Sequence, residues 1–325
     1  MSLRTTSLAA AVAATLTLAA CGSDSGAEEA AGSQPAGSAE TVTITDASGE
    51  QVEVPANPET VVVTDWSVAR TLNDLEVEMD GVPAATAGLP EDMSNLAEVT
   101  TIGSVREPDF EGISALEPDL VIIAGRSGTP EVLAEMQKIT PHVVDLSVRW
   151  DDPADQLPLI EERTVDLGAI FGKEEQAQAL MDEALAEVEE VNTEVSEAGT
   201  TAMMVQVSGG TVSAYGPGSR FGILHEAFGF ADTGAPVDTE NSHGQEISQE
   251  FFTQYNPDVL YVLDRSKTIG EQAQGALDVL NNGLVDATTA AQEGKIVEIE
   301  GFSWYIADNA PSSIRQMAQD VRQGL

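Results

Sequence analysis

The sequence contains few basic residues and only one cysteine. Lys and Arg together number 14 against 55 Asp and Glu, which gives the 325-residue chain a formal net charge of -41. This deficit argues against binding to nucleic acid, whose phosphates require a basic face, and against electrostatic attachment to anionic lipid. The single cysteine, Cys21, excludes an internal disulfide framework and any zinc or iron–sulfur site that needs several cysteines.

Long apolar runs and familiar enzyme signatures are also missing. No internal run of about twenty apolar residues is present, so none is expected to cross a membrane as a helix. The chain has no Gly-x-Ser-x-Gly elbow, no Walker loop and no His-Glu-x-x-His, and the segment 216–218 is too short for a dinucleotide fingerprint. These absences favour a protein that binds its ligand over an enzyme.

The N-terminus has the layout of a bacterial lipoprotein signal. Residues 1–20 contain Arg4, an Ala-rich apolar stretch, and Leu-Ala-Ala immediately before Cys21. We predict that 1–20 is a signal peptide and that Cys21 carries lipid; a plain signal peptide with an incidental cysteine is the alternative. Residues 21–40 are rich in Gly, Ser, Ala and Glu and predict a disordered tether. The predicted location is therefore the extracellular face of the cell membrane, or the periplasmic face where an outer membrane exists.

The remaining sequence alternates between strand and helix patterns, which is typical of an α/β fold. Apolar residues recur every three or four positions between 174 and 195, without Gly or Pro, and predict one long helix. We therefore predict two Rossmann-like lobes, 41–170 and 200–325, joined by a connecting helix within 171–199. The ligand cleft is expected between the lobes.

An internal repeat supports the two-lobe interpretation. Residues 115–126 read ALEPDLVIIAGR and residues 254–265 read QYNPDVLYVLDR, so that Arg126 and Arg265 occupy equivalent positions 139 residues apart. Glu111 and Glu250 share the same separation. Each copy predicts a helix ended by proline, a buried strand, and an arginine at the carboxyl end of that strand, where open α/β sheets bind ligands. Two lobes would thus each present one arginine to a shared cleft.

Together these features resemble the helical-backbone class of solute-binding proteins of ABC transporters, which serve ferric siderophores, haem and cobalamin. The second lobe is more specific. Its motifs resemble the branch that binds ferric catecholate siderophores; they are AYGPGSRFG at 214–222, SHGQEIS at 242–248, Asp264-Arg265 and Trp304-Tyr305. The implied protein has no intrinsic cofactor, acts as a monomer, and passes its ferric siderophore to an ABC permease.

The resemblance also implies a set of ligand-binding residues. Three arginines of that branch line the cleft and correspond to Arg126, Arg220 and Arg265 in this sequence. A histidine and a tyrosine that can complete the coordination of iron correspond to His243 and Tyr305. The chemistry is consistent, because ferric iron prefers hard oxygen ligands such as phenolate, and a bis-catecholate leaves two coordination positions open. Arginine presents a planar fork of donors to catecholate oxygens.

The same resemblance implies roles for two further residues, the position of Trp66 indicates a third role, and the sequence departs from the family pattern at two dipeptides. Glu111 and Glu250 are expected to dock on arginines of the permease, one glutamate from each lobe. Trp66 follows a buried strand at the end that faces the cleft, and is a candidate pocket wall. Two dipeptides depart from the family pattern around Tyr305: Phe302-Ser303 replaces an expected aromatic, and Asp308-Asn309 replaces small residues.

Several alternatives remain open at this stage. Haem or cobalamin could be the ligand of the same fold, and a surface lipoprotein enzyme acting on glycans is a rival from a different class. The proposed arginine, histidine and tyrosine ligands also have purely structural alternatives. Arg126 and Arg265 could be surface residues, and Arg220 could pair with Glu226 at the start of a predicted helix over 221–230. His243 could lie in a solvated loop, and Tyr305 could be a core aromatic.

Overall fold

A computed structural model describes residues 40–150, 152–237 and 243–325 of the chain. The predicted signal peptide, Cys21 with its predicted lipid, and the predicted tether up to residue 39 lie outside these residues. Within the described part, no helix is both long and apolar enough to cross a membrane.

The N-terminal lobe is built on a parallel sheet with strand order β5-β4-β3-β6-β7, beside an antiparallel hairpin of β1 and β2. Short 3-10 segments lie at Glu91–Glu98 and Pro153–Asp155. The central strands β3 and β6 are buried on both faces and consist of Val, Ile and Leu, as expected for a parallel sheet. The strands and helices are β1 (Thr41–Thr45), β2 (Gln51–Pro55), β3 (Val61–Val63), α1 (Trp66–Asp74), β4 (Gly81–Val82), β5 (Thr100–Thr101), α2 (Phe110–Ala115), β6 (Leu120–Ile123), α3 (Pro130–Met136), β7 (Val143–Asp145) and α4 (Gln156–Ile170).

The C-terminal lobe has a mixed sheet with strand order β11-β9-β8-β12-β13, and β10 pairs with the start of β8. Strand β12 is parallel to both of its neighbours, β8 and β13, as β6 is in the first lobe. The elements are β8 (Thr201–Ser208), β9 (Thr211–Tyr215), α6 (Ile223–Glu226), β10 (Ala231–Asp232), β11 (Gln245–Glu246), α7 (Glu250–Tyr255), β12 (Val259–Asp264), α8 (Arg265–Thr268), α9 (Ala276–Leu280), α10 (Thr289–Gln292), β13 (Ile296–Glu298) and α11 (Pro311–Arg322).

One long helix, α5 (Glu174–Ala198), joins the two lobes, so the predicted fold class is confirmed. It ends at Gly199, whose φ of 64° lies in the left-handed region that glycine adopts readily. Its buried stripe repeats every three or four residues. The first member, Ala177, belongs to the core of the N-terminal lobe, whereas Met181 and the later members belong to the core of the C-terminal lobe. The helix is thus fixed in both cores.

The chain crosses between the lobes a second time, at a π-helical turn over Phe302–Ile306. Phe302 and Ile306 pack against the core of the N-terminal lobe, whereas Trp304 is buried in the core of the C-terminal lobe. The indole of Trp304 donates a hydrogen bond of 2.9 Å to Asp320. Because its side chains are divided in this way, the turn is held by both lobes.

The helix predicted over 221–230 is shorter in the structure. Only Ile223–Glu226 is helical, and Gly229 has a φ of 80° that ends the helical path. Glycine at both ends of this segment, Gly222 and Gly229, favours turns over a continued helix.

Candidate functional site

The repeated Pro-Asp motif fixes the central strand of each lobe at equivalent points. Asp119 Oδ2 accepts hydrogen bonds from the backbone N–H groups of Glu59 (3.0 Å) and Thr60 (2.9 Å), just before β3. Asp258 Oδ2 accepts from the N–H (2.9 Å) and the hydroxyl (2.7 Å) of Thr201, at the start of β8. Each aspartate therefore ties its own strand to the neighbouring strand. Arg126 and Arg265 follow the carboxyl ends of the same two strands.

The backbone before each proline repeats as well. Glu117 has a φ of 50° and Asn256 a φ of 36°, and these are equivalent positions of the repeat. Non-glycine residues adopt this left-handed conformation rarely. The shared conformation shows that the two halves of the repeat are equivalent in backbone structure as well as in sequence.

Three arginines converge on the side chain of Tyr305. The guanidinium carbons of Arg126, Arg220 and Arg265 lie 5.1, 4.5 and 5.8 Å from the centre of its ring. Arg126 Nη2 donates to the Tyr305 carbonyl oxygen at 3.1 Å, and Arg265 Nε donates to the phenolic oxygen at 3.0 Å. Since Arg126 comes from the N-terminal lobe and the other two from the C-terminal lobe, the cluster lies where the lobes meet.

Local structure holds each lobe's strand-end arginine in position. Arg126 follows Gly125, whose φ is 52° and whose lack of a side chain allows the Asp65 carboxylate to approach. The next residue, Ser127, forms a hydroxyl–hydroxyl hydrogen bond of 2.6 Å with Thr64 after β3. Arg265 opens α8 directly after β12, and its Nη1 donates to the Ser208 hydroxyl at 3.2 Å.

The third arginine and the carboxylates complete the cluster. Arg220 lies in the loop after β9, and its guanidinium carbon is 5.1 Å from the ring centre of Phe221. It pairs with Asp308 at 3.3 Å, and not with Glu226. Arg265 has Glu271 at 3.7 Å, and the charge of Arg126 acts on the buried carboxyl of Asp65. Each arginine of the cluster thus has one acidic residue nearby.

The arginines act on the acidity of Tyr305. Burial raises the pKa of its phenol, but the hydrogen bond from Arg265 and the charges of all three arginines outweigh burial and lower the pKa below its usual value. The neighbouring Tyr215 shows the opposite balance, because burial dominates there and raises its pKa to about 12 despite Arg220 and Arg265. Of these two phenols, Tyr305 is therefore the one favoured for ionisation and for binding to a hard metal ion.

The loop that carries His243 borders the same cluster. His243 is exposed, and the next residue, Gly244, lies so close to the Tyr215 ring that a Cβ atom there would be 2.7 Å from its Cζ. Tyr215 interacts electrostatically with Tyr305 and with two of the arginines. Among the described residues, no group of three or more His, Cys, Asp or Glu is arranged to hold a metal ion.

Trp66 is the first residue of α1 and is only 3% exposed. Its ring meets the Phe302 ring edge-on, with 5.9 Å between the centroids. The structure therefore places Trp66 in the core, against the π-helical turn over Phe302–Ile306 that carries Tyr305 (the Tyr305 turn). The role of Trp66 as a pocket wall stays a prediction.

Comparison with known proteins shows the family of this chain. A family model described as periplasmic binding protein matches residues 61–301, which is most of both lobes. The chain belongs to the periplasmic binding protein family. This membership confirms the prediction of a binding protein over the alternative of an enzyme acting on glycans.

Individual relatives of this periplasmic binding protein cover nearly all of the described residues. The petrobactin-binding protein YclQ of Bacillus subtilis is 31% identical, over 84% of each chain. The ferric-anguibactin-binding protein FatB of Vibrio anguillarum is 29% identical, again over 84% of each. The crystal structure of the periplasmic catecholate-siderophore binding protein VctP of Vibrio cholerae superposes with a TM-score of 0.78 at 30% identity, covering 87% of this chain and all of that one.

Glu111 and Glu250 lie on opposite lobes of this periplasmic binding protein. Each is exposed in the first turn of a short helix, α2 or α7. A hydrogen bond from the Ser248 side chain lowers the pKa of Glu250, which keeps this carboxylate charged. Glu111 and Glu250 are thus both accessible, one on each lobe, at equivalent positions of the repeat.

The sequence interpretation missed the contacts that fasten the Tyr305 turn. Arg70 on α1 is buried and donates to the hydroxyls of Ser303 (2.9 Å) and Ser312 (2.7 Å). Asp74 accepts from the backbone N–H of Ser312 at 3.1 Å. These contacts join residues more than 230 positions apart, so no local pattern could have revealed them.

Proposed function

We propose that this protein is an extracytoplasmic, lipid-anchored binding protein that captures a ferric siderophore with two catecholate groups and delivers it to an ABC importer. The observation that carries the proposal is the convergence of Arg126, Arg220 and Arg265 on Tyr305 from both lobes. In a chain with 14 basic residues, three in one cluster create a local positive field within a negative surface. The siderophore-binding relatives support the same class of ligand.

Each part of the cluster has a role in this proposal. The guanidinium groups donate charge-assisted hydrogen bonds to catecholate oxygens and stack on the catechol rings. A bis-catecholate leaves two positions on iron, which Tyr305 fills as phenolate and His243 fills as neutral imidazole. The lowered pKa of the Tyr305 phenol favours this ligation before the metal's own charge acts. A neutral hydroxamate complex would gain little from three arginines.

The remaining predicted residues serve delivery. Lipid on Cys21 would hold the protein at the outer face of the membrane. Glu111 and Glu250, exposed on the two lobes, would pair with arginines of the permease and thereby report that both lobes are correctly placed. The protein would act as a monomer.

A ligand panel tests this function. Quenching of the three tryptophans is measured with ferric bis-catecholate, ferric tris-catecholate, a ferric hydroxamate, haem and cobalamin. We expect saturable quenching at the lowest concentration with a ferric catecholate, accompanied by a broad visible band that reflects catecholate-to-iron charge transfer. Tighter binding of haem with a sharp Soret band, or of cobalamin, would contradict the proposal.

A further inference from the structure

A carboxylate lies inside the arginine cluster. Asp308 Oδ2 is 3.3 Å from Arg220 Nη2, and the two side chains are 23% and 24% exposed. The charge of Asp308 also acts on the buried carboxyl of Asp65 in the N-terminal lobe, on which the charge of Arg126 acts as well. A ligand held by these arginines would therefore be held next to the charge of Asp308.

Asp308 has little freedom to move away. Its side chain is short, its Oδ1 accepts a hydrogen bond of 3.3 Å from Asn309 Nδ2, and it follows the turn that both lobes hold. Glu271, the carboxylate near Arg265, differs in each respect. It is longer, 57% exposed and 3.7 Å from its arginine, so it can turn into solvent when an anion arrives. Of the two acids, Asp308 is the fixed one.

We propose that Asp308 sets the charge of the ligand that this site accepts, by excluding tris-catecholate complexes more strongly than bis-catecholate complexes. The inference rests on the proposed function. Three catecholate dianions on ferric iron give a trianion, whereas two give a monoanion. Once the Tyr305 phenolate binds the iron, the bis-catecholate centre carries two negative charges. A fixed carboxylate therefore repels the trianion about one and a half times as strongly at equal distance, and a half-buried position reduces the screening by salt.

The test compares Asp308→Asn with the wild-type protein. Asparagine keeps the shape and an acceptor for Arg220 but removes the charge. The probes are ferric complexes of two synthetic ligands, with two or three 2,3-dihydroxybenzamide groups on an amine scaffold, measured by tryptophan quenching. We expect affinity for the tris-catecholate to rise at least about tenfold more than affinity for the bis-catecholate. Asp308→Glu, which keeps the charge, should retain the wild-type ratio.

Glu135→Gln is the matched control, because Glu135 on α3 forms an exposed ion pair with Lys138 and the substitution removes one negative charge there. An unchanged affinity ratio in Asp308→Asn, with tight binding of the bis-catecholate, would overturn this inference and leave the proposed function intact. An equal shift in Asp308→Glu or in Glu135→Gln would also overturn it. Failure of the wild-type protein to bind either complex would overturn both.

Discussion

The fastening of the Tyr305 turn by Arg70 gives a prediction whose size follows from the structure. Arg70 is 4% exposed and donates to the hydroxyls of Ser303 and Ser312, whereas its ionic partner, Asp92, is 54% exposed. Arg70→Met keeps the packing of the side-chain stem but removes both hydrogen bonds. Each bond from a charged donor is worth about 1.5–3 kcal/mol, so we expect a loss of about 3–6 kcal/mol. Asp92→Asn removes the charge of the exposed partner but keeps an amide oxygen that can accept from Arg70, and should cost less than about 1 kcal/mol.

Differential scanning calorimetry measures both variants. For a chain of this size about 2 °C of Tm corresponds to each kcal/mol, so Arg70→Met should lower the Tm by about 6–12 °C and Asp92→Asn by no more than about 2 °C. The comparison separates the buried hydrogen bonds from the surface charge pair on the same guanidinium. Equal, small losses in the two variants would refute the reasoning, because they would show that the hydroxyl contacts add nothing.

Three further predictions concern the site and its surroundings. His243→Ala and Tyr305→Phe should each alter the circular dichroism of the charge-transfer band of a bound ferric bis-catecholate, but not that of a tris-catecholate, whose iron is already saturated; identical effects on both would exclude direct ligation. Reversing the charge of Glu111 and Glu250 together should abolish cellular uptake and leave ligand affinity in solution intact, and lost affinity would contradict a docking role. Burial raises the pKa of Asp65 from 3.8 to about 6, so the folded state binds this proton more tightly than the unfolded state. The folded state therefore gains stability as the pH falls from about 6 towards the ordinary pKa of 3.8. Asp65→Asn should flatten this part of the plot of Tm against pH, and an unchanged plot would show that Asp65 is not the cause.

Local sequence patterns predicted the parts of the fold that depend on nearby residues. The Pro-Asp repeat predicted β6 and β12 and the position of Arg126 and Arg265 after them. This was possible because a run of consecutive apolar residues indicates both that a strand is buried and where it ends. The spacing of apolar residues predicted α5 for the same reason. The repeat contains Asp119 and Asp258 but does not indicate their role. The structure shows that each of these aspartates joins two neighbouring strands by hydrogen bonds.

The parts that could not be predicted depend on contacts between distant residues. Tyr305 was placed in the site only by resemblance, and its position at the centre of the arginines depends on how the Phe302–Ile306 turn is divided between two cores. The pairing of Arg220 with Asp308, 88 residues further along the chain, has no periodic signature. The helix predicted over 221–230 is longer than the observed one, because the prediction followed the apolar pattern and gave too little weight to Gly222 and Gly229.

Replacement of the three arginines tests the central claim most directly. The affinity of a ferric bis-catecholate is measured for Arg126→Ala, Arg220→Ala and Arg265→Ala, with Arg106→Ala as the control because Arg106 is an exposed arginine outside the cluster. Each charge-assisted contact is worth about 1.5–3 kcal/mol, so each of the three variants should bind about tenfold more weakly or worse, and Arg106→Ala should bind as the wild type does. Wild-type affinity in all three cluster variants would contradict the account and place the ligand elsewhere.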